Sequence, residues 1–553
     1  MSNEGHGLVG KREQCFTSLL PLRANSYDPQ ALAELAAMMK ADVDTVKDGA
    51  DPEENLLVPA GYTYFGQFID HDLTFDSTSS LSPDGALGPT NLRSPRFDLD
   101  CLYGDGPAAQ PYMYEGAKLI YLDDPLDPFA DNKAFSKKDL LRNPVNGRAI
   151  IGDKRNDENS IISQIQLGFV KYHNAVVDEL ATRDPITWNA PNELFQSARN
   201  EVRWAYQKIV VEDFLPRIVA KEVLANLKHK TPWQRAKNYA LYTEDKRGNL
   251  PREFVAAAYR FGHSGVRTGY RMNAILENRF NIFPSSDDPT TMAGADSLLG
   301  FDPVTNNQVI DNWERFFPYS LPGVLPTDPR PEPADETPDG KVQLQFAYKI
   351  DTTLVDPLGV LPRKEIAGEG TTREAIKTIA PSVLPDTVVT PARPSLALLN
   401  LLRGDSYRIQ CGQEIAKVLQ QKGLPCKTLE PRHLATRRPL AKEGYFLYET
   451  IPEELQNQTP LWFYILAEAQ APIIDKYGYK EFNEVELLNG LGAQTQLGWV
   501  GGRIVAEVFY GLLDSDDESY VNMAPSDWKP MLGGDDALVV LRSLLRFADS
   551  SNA

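Results

Sequence analysis

Six histidines serve a chain of 553 residues, so each one placed among acids or amides is a candidate for chemistry. His71 leads. In GYTYFGQFIDHDLTFD (61–76) it stands between Asp70 and Asp72, inside an aromatic-rich, otherwise apolar segment. On a helix, Gln67 and His71 share a face at i, i+4, while Asp70 and Asp72 leave on other bearings. An imidazole so placed can move a proton. The plainer alternative is a structural histidine whose flanking acids cap or solvate a helix end.

Four further clusters carry comparable chemistry. In GDKRNDEN (152–159), Arg155, Glu158 and Asn159 fall at i, i+3 and i+4 of an expected first helical turn, so all three can point into one cavity. The arginine fork suits negative charge developing on oxygen; the alternative is an Asx-rich helix start with acids at the positive dipole end. In YRFGH (259–263), His263 follows Gly262, and Ala256, Ala257 and Ala258 clear space one turn earlier. A buried imidazole facing a cofactor needs that room and can ligate a metal through one ring nitrogen. The alternative is a core histidine bonded to a carbonyl. In LALLNLLRGD (396–405), Asn400 is a lone amide in an apolar run and needs a partner if buried; the second N–H of a ligating histidine is one. In the acidic turn RSPRFDLDCLYGDGP (93–107), Ser94, the Arg96 carbonyl, Asp98 and Asp100 alternate as oxygen donors, and Asp72 can complete the shell. Oxygens at that spacing suit Ca²⁺; a solvated acidic turn is the alternative.

These residues need elements to hold them. Helical spacing of apolar residues predicts helices over 31–47, from 162 to about 183, over 192–226 with a break near Pro216, over 251–279, and at 395–403, 411–423, 461–473, 498–514 and 537–547. A hairpin is expected around 113–121, and Pro/Gly/Asp-rich stretches such as 281–345 read as loop. Strand signals are sparse, and no linker or repeat divides the chain. The expectation is a mostly α fold: a polar arm at 1–30, then one large helical domain at 31–553 with long loops and little β structure.

Composition removes several classes. A net charge of −19 argues against nucleic acid or an anionic membrane face as partner. Four cysteines in so long a chain are no disulfide scaffold. No apolar run approaches the ~18 residues of a membrane span. The N-terminal residues lack the apolar core of a signal peptide, which makes the cytoplasm the default location, with leaderless export as the other route.

Taken in order, GQFIDHDLTF, GDKRNDEN, YRFGH and LNLLRG resemble the animal-type haem peroxidases of the peroxidase–cyclooxygenase superfamily over residues of about 55–515, and within them the smaller bacterial members. The resemblance implies a haem b-derived cofactor and calcium. His71 would be the distal histidine, Gln67 its neighbour, and Arg155 the distal arginine. His263 would be the axial iron ligand, with Asn400 accepting from its other nitrogen, and Arg260 and Arg403 would meet the haem propionates or support the proximal side. Asp70 and Glu158 match the carboxylates that can form ester bonds to the haem. Asp72, Ser94, Arg96, Asp98 and Asp100 match the calcium ligands. The implied activity is reduction of hydrogen peroxide and, through a ferryl porphyrin-radical intermediate, oxidation of iodide, bromide, thiocyanate and small aromatic donors, by a chain for which a monomer is favoured.

The chain departs from the pattern in two places. Asn159 stands where the most oxidising member has a methionine linked to the haem, so chloride oxidation is not expected; and Ser406, Tyr407 and Arg408 replace the usual His-Gly after LNLLRGD. Two other readings compete. A fatty-acid dioxygenase of the same superfamily carries a radical tyrosine three residues before the proximal histidine; here that position is Arg260, and Tyr259 is expected to point elsewhere. A non-catalytic scaffold or adhesion protein would be expected to have lost the haem-facing residues, which this chain keeps.

Overall fold

Apolar residues recur at helical spacing through 61–73, 160–183 and 499–515, and each of these segments is a helix in the computed structural model of the chain. The structure describes residues 14–41, 53–75, 90–123, 138–185, 190–227, 232–273, 279–283, 297–318, 344–359, 361, 395–440, 445–478, 482–483, 494–532, 541 and 544–545. Seven helices organise the site: α1 (Pro29–Met38), α2 (Gly61–Leu73), α3 (Ser160–Arg183), α4 (Pro191–Ile209), α5 (Leu396–Ser406), α6 (Leu461–Tyr477) and α7 (Trp499–Ser515). Strands are short and mostly paired two by two. The largest sheet among the described residues joins Ala435–Pro439, Tyr445–Thr450 and Phe482–Asn483 antiparallel, and no sheet closes into a barrel. The chain is thus a mostly helical single domain with little sheet. Among the described residues, no helix is long and apolar enough to cross a membrane.

An aromatic cluster decides how α2 is oriented. Phe68 stacks on Phe169 of α3 at 4.9 Å, and Tyr206 of α4 meets Phe65 and Phe68 edge-on, each at 6.1 Å. All four rings are buried, and each contributes ~2 kcal/mol through burial, plus a smaller gain from ring geometry. With Phe65, Phe68 and Ile69 committed to the core, helical periodicity turns Gln67, Asp70 and His71 toward the cavity described below. Gly61 and Gly66 permit close packing: a Cβ on Gly61 would lie 2.3 Å from the Phe317 ring, and one on Gly66 3.2 Å from Phe214.

The helix expected over 31–47 is α1, ending at Met38, and the hairpin forms as Tyr114–Glu115 paired with Lys118–Leu119. The run 192–226 is α4, a π turn at Val210–Phe214, and short helices at Leu215–Ile218 and Lys221–Leu227. Most of the helix expected at 537–547, and most of the 281–345 loop, lie outside the described residues.

Two helical expectations are corrected. The 251–279 segment is not one helix. A short α-helix, Arg252–Ala256, stops where Ala257 leaves helical geometry (φ −139°, ψ −67°), and Ala258–His263 follows as a 3-10 helix. Tertiary contacts override the periodicity: Tyr259 stacks on Phe254 at 4.8 Å, and the Trp462 indole donates to the Arg260 carbonyl. Likewise, Arg155 and Glu158 do not sit in the first turn of α3. Lys154–Asp157 is a separate 3-10 turn, and Asn159 caps α3, its side-chain oxygen accepting from Ile162 N at 2.9 Å.

Candidate active site

A cavity of about 960 Å³ opens between α2, the 152–159 segment and the 3-10 helix carrying His263. Gln67, Asp70, His71, Arg155, Glu158, Asn159, Tyr259, Arg260 and His263 all reach its wall, so three stretches far apart in sequence meet there.

His71 comes from the last turn of α2 and is 4% exposed. Its Nδ1 lies 2.7 Å from Oδ1 of Asn156, and its Nε2 lies 3.9 Å from Oε1 of Glu158. Burial, reinforced by the Arg155 charge, pushes the imidazole down to about 3, so it is neutral at ordinary pH. Arg155 is aimed by a dense set of acceptors: its Nη2 donates to the His71 carbonyl at 3.1 Å, to the Thr74 carbonyl, and to Asp153 Oδ2 at 2.8 Å. Gln67 donates to Glu158, and Asn159 donates to Gln67 at 3.2 Å, so α2 is tied side chain to side chain to the 152–159 segment. Burial pushes the Glu158 carboxyl up to about 7 against the pull of Arg155, and raises Asp70 in the same way. Asp70 also accepts from the Thr74 hydroxyl at 3.2 Å.

A backbone strap presses on this wall. Gly300 N donates to the Glu158 carbonyl at 2.9 Å and Phe301 N to that of Asp157 at 2.6 Å. A Cβ on Gly300 would lie 2.0 Å from the Asp157 carbonyl oxygen, so only glycine allows the contact, and Phe301 takes up the turn at φ +64°.

On the far side of the sequence, the 3-10 geometry eclipses side chains at i and i+3, which puts Arg260 and His263 on one side, where both meet Asn400 of α5. Asn400 is fully buried. It meets His263 as expected in partner but not in polarity: its Nδ2 donates to His263 Nδ1 at 2.8 Å, because its oxygen is taken by Arg260 Nη1 at 2.9 Å. Burial, with the Arg260 charge, pushes His263 down to about 3. Arg403 is not on the cavity wall; its guanidinium lies 5.6 Å from the Tyr407 ring. Tyr259, expected to point elsewhere, does line the cavity, with its hydroxyl donating to the Gly66 carbonyl at 3.2 Å.

Directly behind His71, ligand oxygens of Asp72, Asp98 and Asp100 lie within 4.8 Å of one another in a buried, Asp-rich cluster. Leu99, between two of them, is held at φ +60°, a conformation that costs a leucine ~1 kcal/mol or more. Ser94 Oγ donates to Asp98 Oδ2 at 2.6 Å. The Arg96 side chain points outward, 3.7 Å from Asp516. Asp72 is fully buried, and neither of its carboxylate oxygens has a hydrogen-bond partner among the described residues. Burial and the two neighbouring acids push its carboxyl well above the usual range. Three carboxylates so placed need a cation or protons.

Asn156, Asp153 and Arg93 were not singled out in the sequence, although the first two lie within GDKRNDEN. Arg93 donates to Asp153 Oδ2 at 2.7 Å and sits 3.2 Å from Asp100, linking the acidic cluster to the residue that grips Arg155. The signal available was an amide and an acid flanking Arg155; nothing in the spacing says which of them reaches back to α2.

The animal haem peroxidase family profile matches residues 88–305, a span that takes in the acidic turn, Arg155, Glu158 and His263. The chain is 27% identical over 345 residues to a chorion peroxidase of Aedes aegypti, covering 52% of this chain and 43% of that one. It is 24% identical over 293 residues to a peroxidase-like protein of Margaritifera margaritifera, covering 41% and 36%. Over this span the chain resembles the peroxidase–cyclooxygenase superfamily. Peroxidase A from Dictyostelium discoideum shares the fold, with a TM-score of 0.52 at 14% identity over 92% of this chain and 90% of that one. The chain spans about two fifths of the length of these two curated relatives. The expectation of a bacterial-type member is corrected. The matching curated relatives come from a mollusc, insects, a nematode and mammals, so the likeness is to the animal type, to the chorion peroxidase and the dual oxidases.

Proposed function

We propose that the chain is a haem-dependent peroxidase that reduces hydrogen peroxide and oxidises iodide, bromide, thiocyanate and small aromatic donors. The observation that carries this reading is one cavity bordered both by a neutral histidine with an aimed arginine (His71, Arg155) and by a second histidine backed by an amide (His263, Asn400). The residues present fit a haem. The cavity lies within the range of cofactor sites, and the Ala256–Ala258 run beside His263 is buried and offers no bulk. His263 would hold the iron, Arg260 would meet the carboxylate edge, Arg403, off the cavity wall, would support the proximal side, and Asp70 and Glu158 would be the carboxylates available for ester bonds. When bound, the haem supplies the redox chemistry: it accepts the oxidising equivalents of peroxide and passes them to the donor.

The chain's own residues do the rest. His71 Nε2 takes a proton from one peroxide oxygen and returns it to the leaving oxygen. Arg155, its orientation fixed by Asp153 and two carbonyls, steadies the negative charge that develops as the O–O bond parts. Gln67 and Asn159 border the place where a small anion or water would sit. A calcium ion at Asp72, Ser94, the Arg96 carbonyl, Asp98 and Asp100 would neutralise the acidic cluster and fix the end of α2 that carries His71.

The test is peroxide-dependent oxidation of iodide, bromide, thiocyanate and chloride by haem-loaded protein. Turnover of the first three without chlorination at mildly acid pH is expected; no halide or phenol turnover would refute the proposal. The Tyr259 position keeps the dioxygenase reading testable, and oxygen uptake with linoleate or arachidonate in place of peroxidase turnover would favour it.

A further inference from the structure

Asn156 is fully buried, lines no part of the cavity and is assigned no role by the resemblance, yet it makes the one hydrogen bond of the His71 ring among the described residues. A neutral imidazole carries a single N–H, and the nitrogen that carries it decides what the other can do. His71 Nδ1 lies 2.7 Å from Asn156 Oδ1, an atom that can only accept. Behind it, Asn156 Nδ2 donates to Gln166 Oε1 of α3 at 2.9 Å; Gln166 is also fully buried, and its Nε2 has no hydrogen-bond partner among the described residues. The order of atoms from α3 to α2 is thus acceptor, donor, acceptor, donor, ending with hydrogen on His71 Nδ1. That leaves the Nε2 lone pair for the cavity.

The arrangement ties together three elements fixed by other forces. Gln166 stands on α3 near the turn that carries Phe169, Asn156 sits in the 3-10 turn beside Arg155, and His71 ends α2. Asn159, three residues beyond Asn156, anchors the same turn by capping α3. The relay does not touch the cavity, so it can act only through the imidazole.

We propose that Asn156, oriented by Gln166, is a positioning residue that sets the His71 tautomer, keeping Nε2 unprotonated to receive the first proton from peroxide. This rests on the peroxidase reading for its consequence, but not for the tautomer itself. Reversing both amides end for end would fill the same space and place the hydrogen on Nε2, which would then be unable to accept. The two arrangements are therefore distinguishable in the protein.

The experiment has two arms. Nitrogen-15 histidine NMR of the full chain, with the His71 signal assigned by its loss in His71→Gln, reads the tautomer directly. The Nδ1–H form is expected; the Nε2–H form overturns the proposal. In parallel, stopped-flow spectra of haem-loaded protein separate the reaction with peroxide from the later reaction with iodide. Asn156→Leu is expected to slow the peroxide reaction ~10- to 100-fold while the iodide step stays within about twofold, and Asn156→Asp, which still accepts from Nδ1–H, to stay within about threefold of the parent in both. A merely structural amide would lower both steps together, or leave Asn156→Asp as slow as Asn156→Leu, and either result overturns the assignment. If the parent itself fails to react with peroxide, the proposed function falls, and the NMR arm still decides the role of Asn156.

Discussion

Asp153 grips Arg155 from two residues away: Oδ1 accepts from the Arg155 backbone N at 2.9 Å and from Nε at 3.1 Å, and Oδ2 from Nη2 at 2.8 Å. Burial alone would raise the Asp153 carboxyl, but Arg155, with Arg93, holds it well below the usual carboxylate range. The grip is geometric as much as electrostatic, because it uses the planar fork. Arg155→Lys keeps the charge and loses the fork. The expected outcome is a peroxide reaction slowed about a hundredfold, with the iodide step little changed; transient kinetics check it.

Glu158 gives a pH signature. Its folded pKa is raised to about 7, above its ordinary value, so the folded chain holds that proton more tightly than the unfolded one. The associated stability is fully present below the ordinary carboxyl range and is lost as pH rises toward 7. His71, lowered to about 3, works the other way: its contribution grows as pH rises from about 3 toward the ordinary histidine range. Glu158→Gln in the haem-free chain removes only the first effect. Its thermal midpoint should therefore exceed that of the parent by more at pH 7 than at pH 4.5, as scanning calorimetry across that range would show.

Asn400 makes haem binding depend on an exchange of partners. Ligating iron through His263 Nε2 requires the hydrogen on Nδ1, so Asn400 must present its oxygen to the ring and Arg260 must let that oxygen go. Asn400→Leu should weaken haem retention ~10- to 100-fold, whereas Asn400→Asp, an acceptor in either orientation, should retain haem. Haem transfer to apomyoglobin measures both.

On the proposed calcium assignment, removing the ion should reach the active site by two routes: Asp72 adjoins His71, and Asp100, Arg93, Asp153 and Arg155 form a continuous ionic chain. Chelation, or Asp72→Ala, is expected to lower peroxidase turnover and the thermal midpoint together. Full activity after calcium removal verified by elemental analysis would refute the calcium assignment.

The clusters legible in the sequence were those whose partners lie within one helical turn. Gln67 and His71 share a face of α2 by their i, i+4 spacing alone, whereas Asp70, expected on another bearing, turns to the same cavity because Phe65 and Phe68 take the buried face. Asp98 and Asp100 could be read beside Ser94 from their alternation alone. What escaped was set by tertiary contacts. Nothing in 251–263 signals that Trp462 takes the Arg260 carbonyl, and with it the expected long helix becomes a 3-10 turn. Periodicity also says nothing about amide polarity: in this structure Asn400 donates to His263, the reverse of the sense expected beside an iron ligand, and nothing in the sequence marks Asn156 beside its more conspicuous neighbour Arg155. The Ser406–Arg408 departure has a local structural counterpart: Asp405 accepts from the Arg23 side chain and from Tyr27 N, docking the N-terminal arm on that loop.

The central claim is that His263 and His71 share a haem and use it on peroxide. The direct measurement is a titration of haem into the haem-free chain, followed by one equivalent of hydrogen peroxide, read in the Soret region for the parent, His263→Ala and His71→Ala. The account predicts a one-to-one Soret band that is lost or strongly displaced in His263→Ala, and that in His71→Ala is retained but responds to peroxide ~10²-fold more slowly or less. A band no different from free haem, or a parent-like peroxide response in both variants, would contradict it.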